Sequence, residues 1–341
     1  MSFARIPGLL IVLCAMVLAA FPALPARADR VPLIRISSEN SPSHVQTRIL
    51  ERFAATVRER AAGRLAVDYQ HSGRLYRDLD VVIALEQGKV EMALPGSWQL
   101  DRFEPNVGAL LLPSFYGRDA ETMGRLLDGP LGRMLNDRLE SALDVHVLGR
   151  WIHLGFAHLY TIDQPIARHE DIASLRIRSP GGEVNNRRLA ALGAKPLTVA
   201  WTDLPVAFRT QRIDGLLSTH ATVVSAKLWE HGLRHAFEDR QYFPQYVPLV
   251  SAGLWRRLPN DLKALLEQAW EEQVETARRE AAEAQEAARA ELLAHGVRIV
   301  TPAAEAVAGW RARLVAAQDD WAYEMGMDPY LIRMLHTSFG D

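Results

Sequence analysis

The sequence predicts an α/β protein of two domains, each a mixed β-sheet flanked by helices, with a long C-terminal helix spanning both. Three observations carry this expectation. Apolar, β-rich runs alternate with amphipathic stretches from Val31 to Ser218. The chain has 341 residues, which stretches a single core and favours two. From Asn260 to His295 there is neither glycine nor proline, and apolar residues recur every three or four positions.

The elements follow in order. "PLIRIS" (32–37) reads as the first strand. "SPSHVQTRILERFAATVRERAAG" (41–63) opens with Ser-Pro and sets Val45, Ile49, Phe53 and Val57 four apart, a helix that Gly63 stops. "RLAVDY" (64–69) alternates Leu65, Val67 and Tyr69 on one face, a strand. A helix from Leu79 to Glu86 ends at Gly88 and feeds "KVEMAL" (89–94), and "VGALLLPSFYG" (107–117) reads as buried. "VHVLGRWI" (145–152) and "SLRIR" (174–178) read as strands, the second followed by a helix over 183–192. "KPLTVA" (195–200), a helix over 203–211 and the strand "RIDGLLS" (212–218) complete the alternation. "VIALEQGKVEMAL" (82–94) and "VAFRTQRIDGLLS" (206–218) share one order of features, consistent with two domains built alike.

The expected division is domain I over 29–150 plus about 245–290 and domain II over 151–244 plus about 296–325. The helix over 260–295 bridges them, and 326–341 form a tail or terminal helix. That bridging helix carries the stripe Leu262, Leu266, Trp270, Val274, Ala277, Ala281, Ala284, Ala288 and Leu292. A stripe largely of alanine predicts close packing against its neighbours. Glu275 and Arg279 are spaced for an i,i+4 pair, and Glu271 and Glu272 read as a solvated face.

Residues 1–28 read as an export leader: Arg5, the apolar run "GLLIVLCAMVLAAF", then "ARA" as a cleavage site. The chain's one cysteine, Cys14, lies within it, so the expected mature protein has no disulfide, thiol nucleophile or thiolate metal site. Export without disulfides suits a bacterial periplasm. A net charge of −2 argues against nucleic acid as a partner. No later segment has the roughly 18 uninterrupted apolar residues a membrane helix needs.

Signals for an enzyme are poor. There is no Gly-x-Ser-x-Gly elbow, His-Glu-x-x-His pair or phosphate-cradling glycine loop, so no catalytic residue, metal or cofactor is expected. His231 and His235 stand four apart in "WEHGLRH", but Gly232 weakens that helix and no third ligand follows. Binding signals are better. In open α/β folds, ligands sit beyond the carboxyl ends of strands, where Glu39, Trp98, Arg178 and Ser218 fall. Arg178 ends its strand at Ser-Pro-Gly-Gly; it reads either as a surface charge beside Arg176 or as a fixed cation for a carboxylate.

The stretch "LRIRSPGGEVNNRRLAALGAKPLTVAWTDLPVAFRTQRIDG" (175–215) resembles the signature of TRAP-transporter solute-binding proteins of the DctP family. "AAGRLAVDYQHSGRLYRDLDVVIALEQGKVEMAL" (61–94), "LLLPSFYGRDAET" (110–122) and "LWRRLPNDLKALLEQA" (254–269) match other runs of that family, in order. The resemblance implies a periplasmic, type II-like binding protein that holds an organic acid between two domains and delivers it to membrane permease subunits. It implies that Arg178 takes the ligand's carboxylate with its planar fork. Two departures stand out: His158, after Ala157, where many members carry a second arginine, and Ser218 where many carry an asparagine. Fewer charges suggest a monocarboxylate with a less polar body, packed against Trp98, Trp201, Tyr242 and Phe243. A monomer is expected. The other readings are the binding component of an ABC importer, a sensory binding protein, and a secreted hydrolase using His158 and Glu39.

Overall fold

The alternating apolar runs build two separate sheets in the computed structural model, which describes residues 31–339. The expected leader lies outside the described residues. In chain order the strands are β1 (Leu33–Ser37), β2 (Ala66–Gln70), β3 (Met92–Ala93), β4 (Val145–Val147), β5 (Ile152–His153), β6 (Ala157–Thr161) and β7 (Arg176–Ser179). They continue with β8 (Lys195–Thr198), β9 (Gly215–Ser218), β10 (His235–Tyr242), β11 (Gln245–Tyr246), β12 (Leu249–Ser251) and β13 (Arg298–Val300).

The first sheet has the order β2-β1-β3-β12-β4 and the second β13-β10-β6-β9-β7-β8. Both are mixed. In the first, β1 runs parallel to β2 and β3, while β12 returns antiparallel between β3 and β4. In the second, β7 runs parallel to β8 and β9, while β6 is antiparallel to β9 and β10. The two short strands β5 and β11 pair with each other and with neither sheet. They lie on the two extended connections between the sheets, one leaving β4 for β6 and one leaving β10 for β12.

The expected strand 145–152 is thus two strands in different ladders. The chain turns at Gly149, where a Cβ would stand 2.4 Å from Glu271 Oε1 and 2.9 Å from the Trp270 ring, so only glycine lets it pass the long helix. The paired histidines of "WEHGLRH" separate for a similar reason. His231 ends a short 3-10 turn, Gly232 takes φ +98°, and His235 opens β10. Among the described residues no cluster of three metal-binding side chains forms.

The long helix runs Asn260–Ala294, 35 residues and about 50 Å at 1.5 Å per residue. Its stripe from Leu262 through Trp270 and Ala281 to Leu292 is buried, with Ala284 only partly so. It packs on the helix Val45–Ala61 of the first half, on β5 at the connection, and on the helix His220–Ser225 of the second half. Its carboxylates are not a free solvated face. Glu271 takes both the backbone N–H and the Nε–H of Arg150, at 2.7 and 2.8 Å, and Glu275 takes Arg150 Nη1 at 2.6 Å. Glu275 therefore staples the crossing chain instead of pairing with Arg279.

Trp270 is the centre of that staple. It is fully buried, meets Phe53 edge-on at 5.7 Å, and donates Nε1–H to the Arg150 carbonyl at 2.8 Å. Truncating a core tryptophan opens a cavity that the surroundings fill only partly. Trp270→Ala should lower the unfolding free energy by about 3–5 kcal/mol, read from urea denaturation followed by circular dichroism.

Candidate functional site

Arg178 is placed by strand alternation and by the turn that follows. Ile177 faces the core, so the next side chain on β7 faces the other way. Pro180 ends the strand, and Gly181 and Gly182 take φ +116° and +86°, backbone that residues with a Cβ rarely adopt. The same two glycines let another segment come close. A Cβ on Gly181 would lie 3.0 Å from Gln99 Nε2, and one on Gly182 would lie 3.2 Å from the Trp98 carbonyl. The Ser-Pro-Gly-Gly turn therefore brings the end of β7 against the Ser97–Gln99 turn that follows β3. The helix Glu183–Ala191 starts immediately after it.

The two arginines of this strand have different fates. Arg176 is half-exposed and bonded to Asp214 through Nε at 3.0 Å and its own backbone N–H at 2.8 Å. It is the surface charge. Arg178 is only 5 % exposed, donates Nε–H to the Val199 carbonyl at 2.9 Å, and forms no ion pair among the described residues. Its guanidinium lies 5.6 Å from the Trp201 ring centroid. Burial brings its pKa down to about 10, against the pull of Glu39, Tyr242 and Asp78, so it stays charged at neutral pH.

Around it is a narrow cavity of about 40 Å³. Glu39, Asp78 and Trp98 line it from the side of the first sheet; Arg178, Trp201 and Tyr242 line it from the second. Trp98 meets Tyr242 at 6.3 Å and Tyr246 at 5.6 Å, a wall of three buried rings. Ser218, at the end of β9, completes the six expected residues that come together.

Two expected residues, His158 and Phe243, do not line this cavity. They line a separate one on the other face of the β5–β11 connection. Phe243 follows Tyr242 in extended chain, so one ring faces each side. His158 is tied by its Nδ1, which accepts the Arg240 backbone N–H at 3.2 Å.

Asp78, Asn40 and Tyr246 are residues that sequence reasoning missed. Asp78 opens the helix Asp78–Glu86, where an acid is expected for the helix alone. The polar cluster "YRDLD" after Gly73 was the available signal. Asp78 and Glu39 share the cleft with a single arginine, and burial raises the pKa of both. Glu39 raises Asp78 further by like-charge repulsion, while Arg178 pulls both down. One oxygen of Glu39, Oε1, is buried without a hydrogen-bond partner among the described residues.

Residues 36–324 match the family model described as bacterial extracellular solute-binding protein, family 7, the DctP family. The chain belongs to this family. Among similar proteins, the C4-dicarboxylate-binding periplasmic protein DctP of Rhodobacter capsulatus is 26% identical over 95% of this chain and 96% of its own. A TRAP periplasmic solute-binding protein of Sulfurospirillum deleyianum, solved with bound succinate, superposes with a TM-score of 0.82 at 24% identity, covering 90% of this chain and 98% of its own. The sugar acid binding protein of Advenella mimigardefordensis, solved with galactonate, gives 0.84 at 20% identity, covering 91% and 98%. These likenesses show the two-domain α/β fold of a family-7 solute-binding protein. No described helix of this family-7 chain is long and apolar enough to cross a membrane.

A carboxyl group whose pKa rises on folding loses stability as pH climbs above the ordinary carboxylate range near 4, because only the unfolded chain then ionises freely. Asp78→Asn removes that penalty. The variant should melt above the parent at pH 8 and the gap should shrink at pH 5, as measured by differential scanning calorimetry.

Proposed function

We propose that this chain captures a small organic monocarboxylate in the cleft and hands it to the membrane permease of a TRAP-type transporter. Arg178 carries the reading: a charged guanidinium, almost wholly buried, with no carboxylate bonded to it among the described residues. Its planar fork suits two carboxylate oxygens. Glu39 and Asp78 stand on the facing side, where burial disfavours charge, and no second arginine lines the cavity among the described residues, so a second carboxylate on the ligand would be desolvated there without a partner. Trp98, Trp201 and Tyr242 offer apolar ring surface for the remainder. Relatives named for C4-dicarboxylates, and fold relatives holding succinate and galactonate, support the organic-acid class.

In this reading the protein is exported to the periplasm after loss of residues 1–28, acts as a monomer, and needs neither metal nor cofactor. The moving domains are residues 29–150 with about 245–290 and residues 151–244 with about 296–325. Ligand contacts to Arg178 in one and to Glu39 or Asp78 in the other would favour the closed form, since only differential affinity shifts such an equilibrium.

Micromolar binding corresponds to about −8 kcal/mol. Loss of a buried charged partner costs roughly 2–5 kcal/mol, so Arg178→Ala should weaken binding by tens to thousands of fold. Arg178→Lys keeps the charge without the fork and should fall between. Mass spectrometry of the molecule released on denaturation supplies the ligand, and isothermal titration supplies its affinity. An unchanged dissociation constant in Arg178→Ala would overturn the assignment. Dicarboxylates or sugar acids binding more tightly than every monocarboxylate would overturn the ligand class.

A further inference from the structure

The cavity that takes His158 and Phe243 is the larger of the two, about 660 Å³, within the size range of small-molecule sites. It lies on the opposite side of the crossing connections from the cleft. Along one connection His153, Gly155 and Phe156 face it while Leu154 faces the cleft. Along the other Phe243 faces it while Tyr242 and Pro244 face the cleft. Alternation in extended chain makes the two connections a partition, with a cavity on each side. The long helix closes the far wall through Arg278, Gln285 and Arg289.

Most of its charged groups are already committed. Glu238 accepts from His220 Nε2 at 2.9 Å, Arg289 Nε at 2.7 Å and Thr301. Arg278 grips both oxygens of Asp128 at 2.7 and 2.8 Å. Glu121 pairs with Arg125, and Glu286 is exposed on the long helix. Two donors remain. The Arg240 guanidinium is exposed, forms no ion pair among the described residues, and sits 5.2 Å from the Phe156 ring. Its backbone holds φ +51°, unusual for a residue with a Cβ, where the β10 ladder breaks register between Phe237 and Tyr242. His158 is the second. It is 7 % exposed, and because Nδ1 accepts from the Arg240 amide, the neutral ring carries its proton on Nε2, which has no acceptor among the described residues. Burial, with the neighbouring His220, keeps that ring neutral.

Rings stand beside these donors. Phe156 and Phe243 pack at 4.8 Å and 62°, with Phe156 only partly buried. We infer that this cavity is a second ligand site, for an aromatic monocarboxylate, its carboxylate bonded by Arg240 and the His158 Nε2–H and its ring against Phe156 and Phe243. One guanidinium fork with one N–H matches a planar carboxylate, and ring walls favour a flat partner. The site stands apart from the cleft and does not depend on what the cleft binds.

Benzoate and 2-naphthoate serve as probes, followed by saturation-transfer NMR and isothermal titration on the full chain. Arg178→Ala silences the cleft carboxylate site, and Arg240→Gly removes the guanidinium while glycine keeps φ +51° without strain. Benzoate should still bind Arg178→Ala, and adding Arg240→Gly to that variant should weaken binding at least about tenfold, the loss of a charge-assisted bond. Melting temperature confirms that Arg240→Gly is folded, and Phe243→Leu, which removes a ring wall, should weaken 2-naphthoate independently. Benzoate lost in Arg178→Ala, equal binding to Arg178→Ala with and without Arg240→Gly, or no binding below about 10 mM would each overturn the second site.

Discussion

A buried guanidinium with one hydrogen-bond acceptor and no ion pair among the described residues is the constraint around which the cleft is arranged. Burial opposes charge and brings the pKa of Arg178 down to about 10, as it does for Arg188, so what sets Arg178 apart is how few acceptors meet it. The fold does not relieve the buried charge with a bonded carboxylate. One carbonyl takes Nε–H, Trp201 covers a face, and Glu39 and Asp78 act across the cleft. Those two carboxyls are themselves pushed toward the protonated form. The cleft thus holds three ionisable groups in mutual tension.

Arg188, ten residues further along, shows what a satisfied buried arginine looks like. It is fully buried, and its nitrogens reach Gln241 Oε1 at 2.9 Å, the Leu111 carbonyl at 2.6 Å and Asn185 Oδ1 at 2.5 Å. Its guanidinium lies 5.4 Å from the Tyr242 ring, so it supports from below a ring that lines the cleft. Neighbouring arginines on one strand–turn–helix unit therefore do three jobs: Arg176 pairs at the surface, Arg188 ties the interior, and Arg178 is left open. Residue type alone does not distinguish them; the number of acceptors within reach does.

The connections between the sheets carry as much meaning as the sheets. Two extended crossings pair with each other as β5 and β11, and the long helix backs them. Arg150 fastens one crossing to that helix through Glu271 and Glu275. Side chains alternate across the crossings, so a single strand of backbone presents the cleft on one side and a roomier cavity on the other.

Periodicity and punctuation in the sequence were enough for the α/β class, the order of most elements and the long alanine-striped helix, because those features depend on local spacing and on burial of one face. Arg178, Glu39, Trp98, Ser218, Trp201 and Tyr242 were legible as cleft residues because strand ends converge in such folds and the family resemblance pointed the same way. Asp78 was hidden behind its ordinary place at a helix start, and β10 behind a glycine and two histidines that mimic a broken helix. The assignment of His158 and Phe243 to the second cavity, and the Asp214 partner that keeps Arg176 at the surface, were decided only in three dimensions. A side chain's direction at a bulge or a crossing, and the acceptors that surround it, depend on partners distant in the chain, and no local pattern records them.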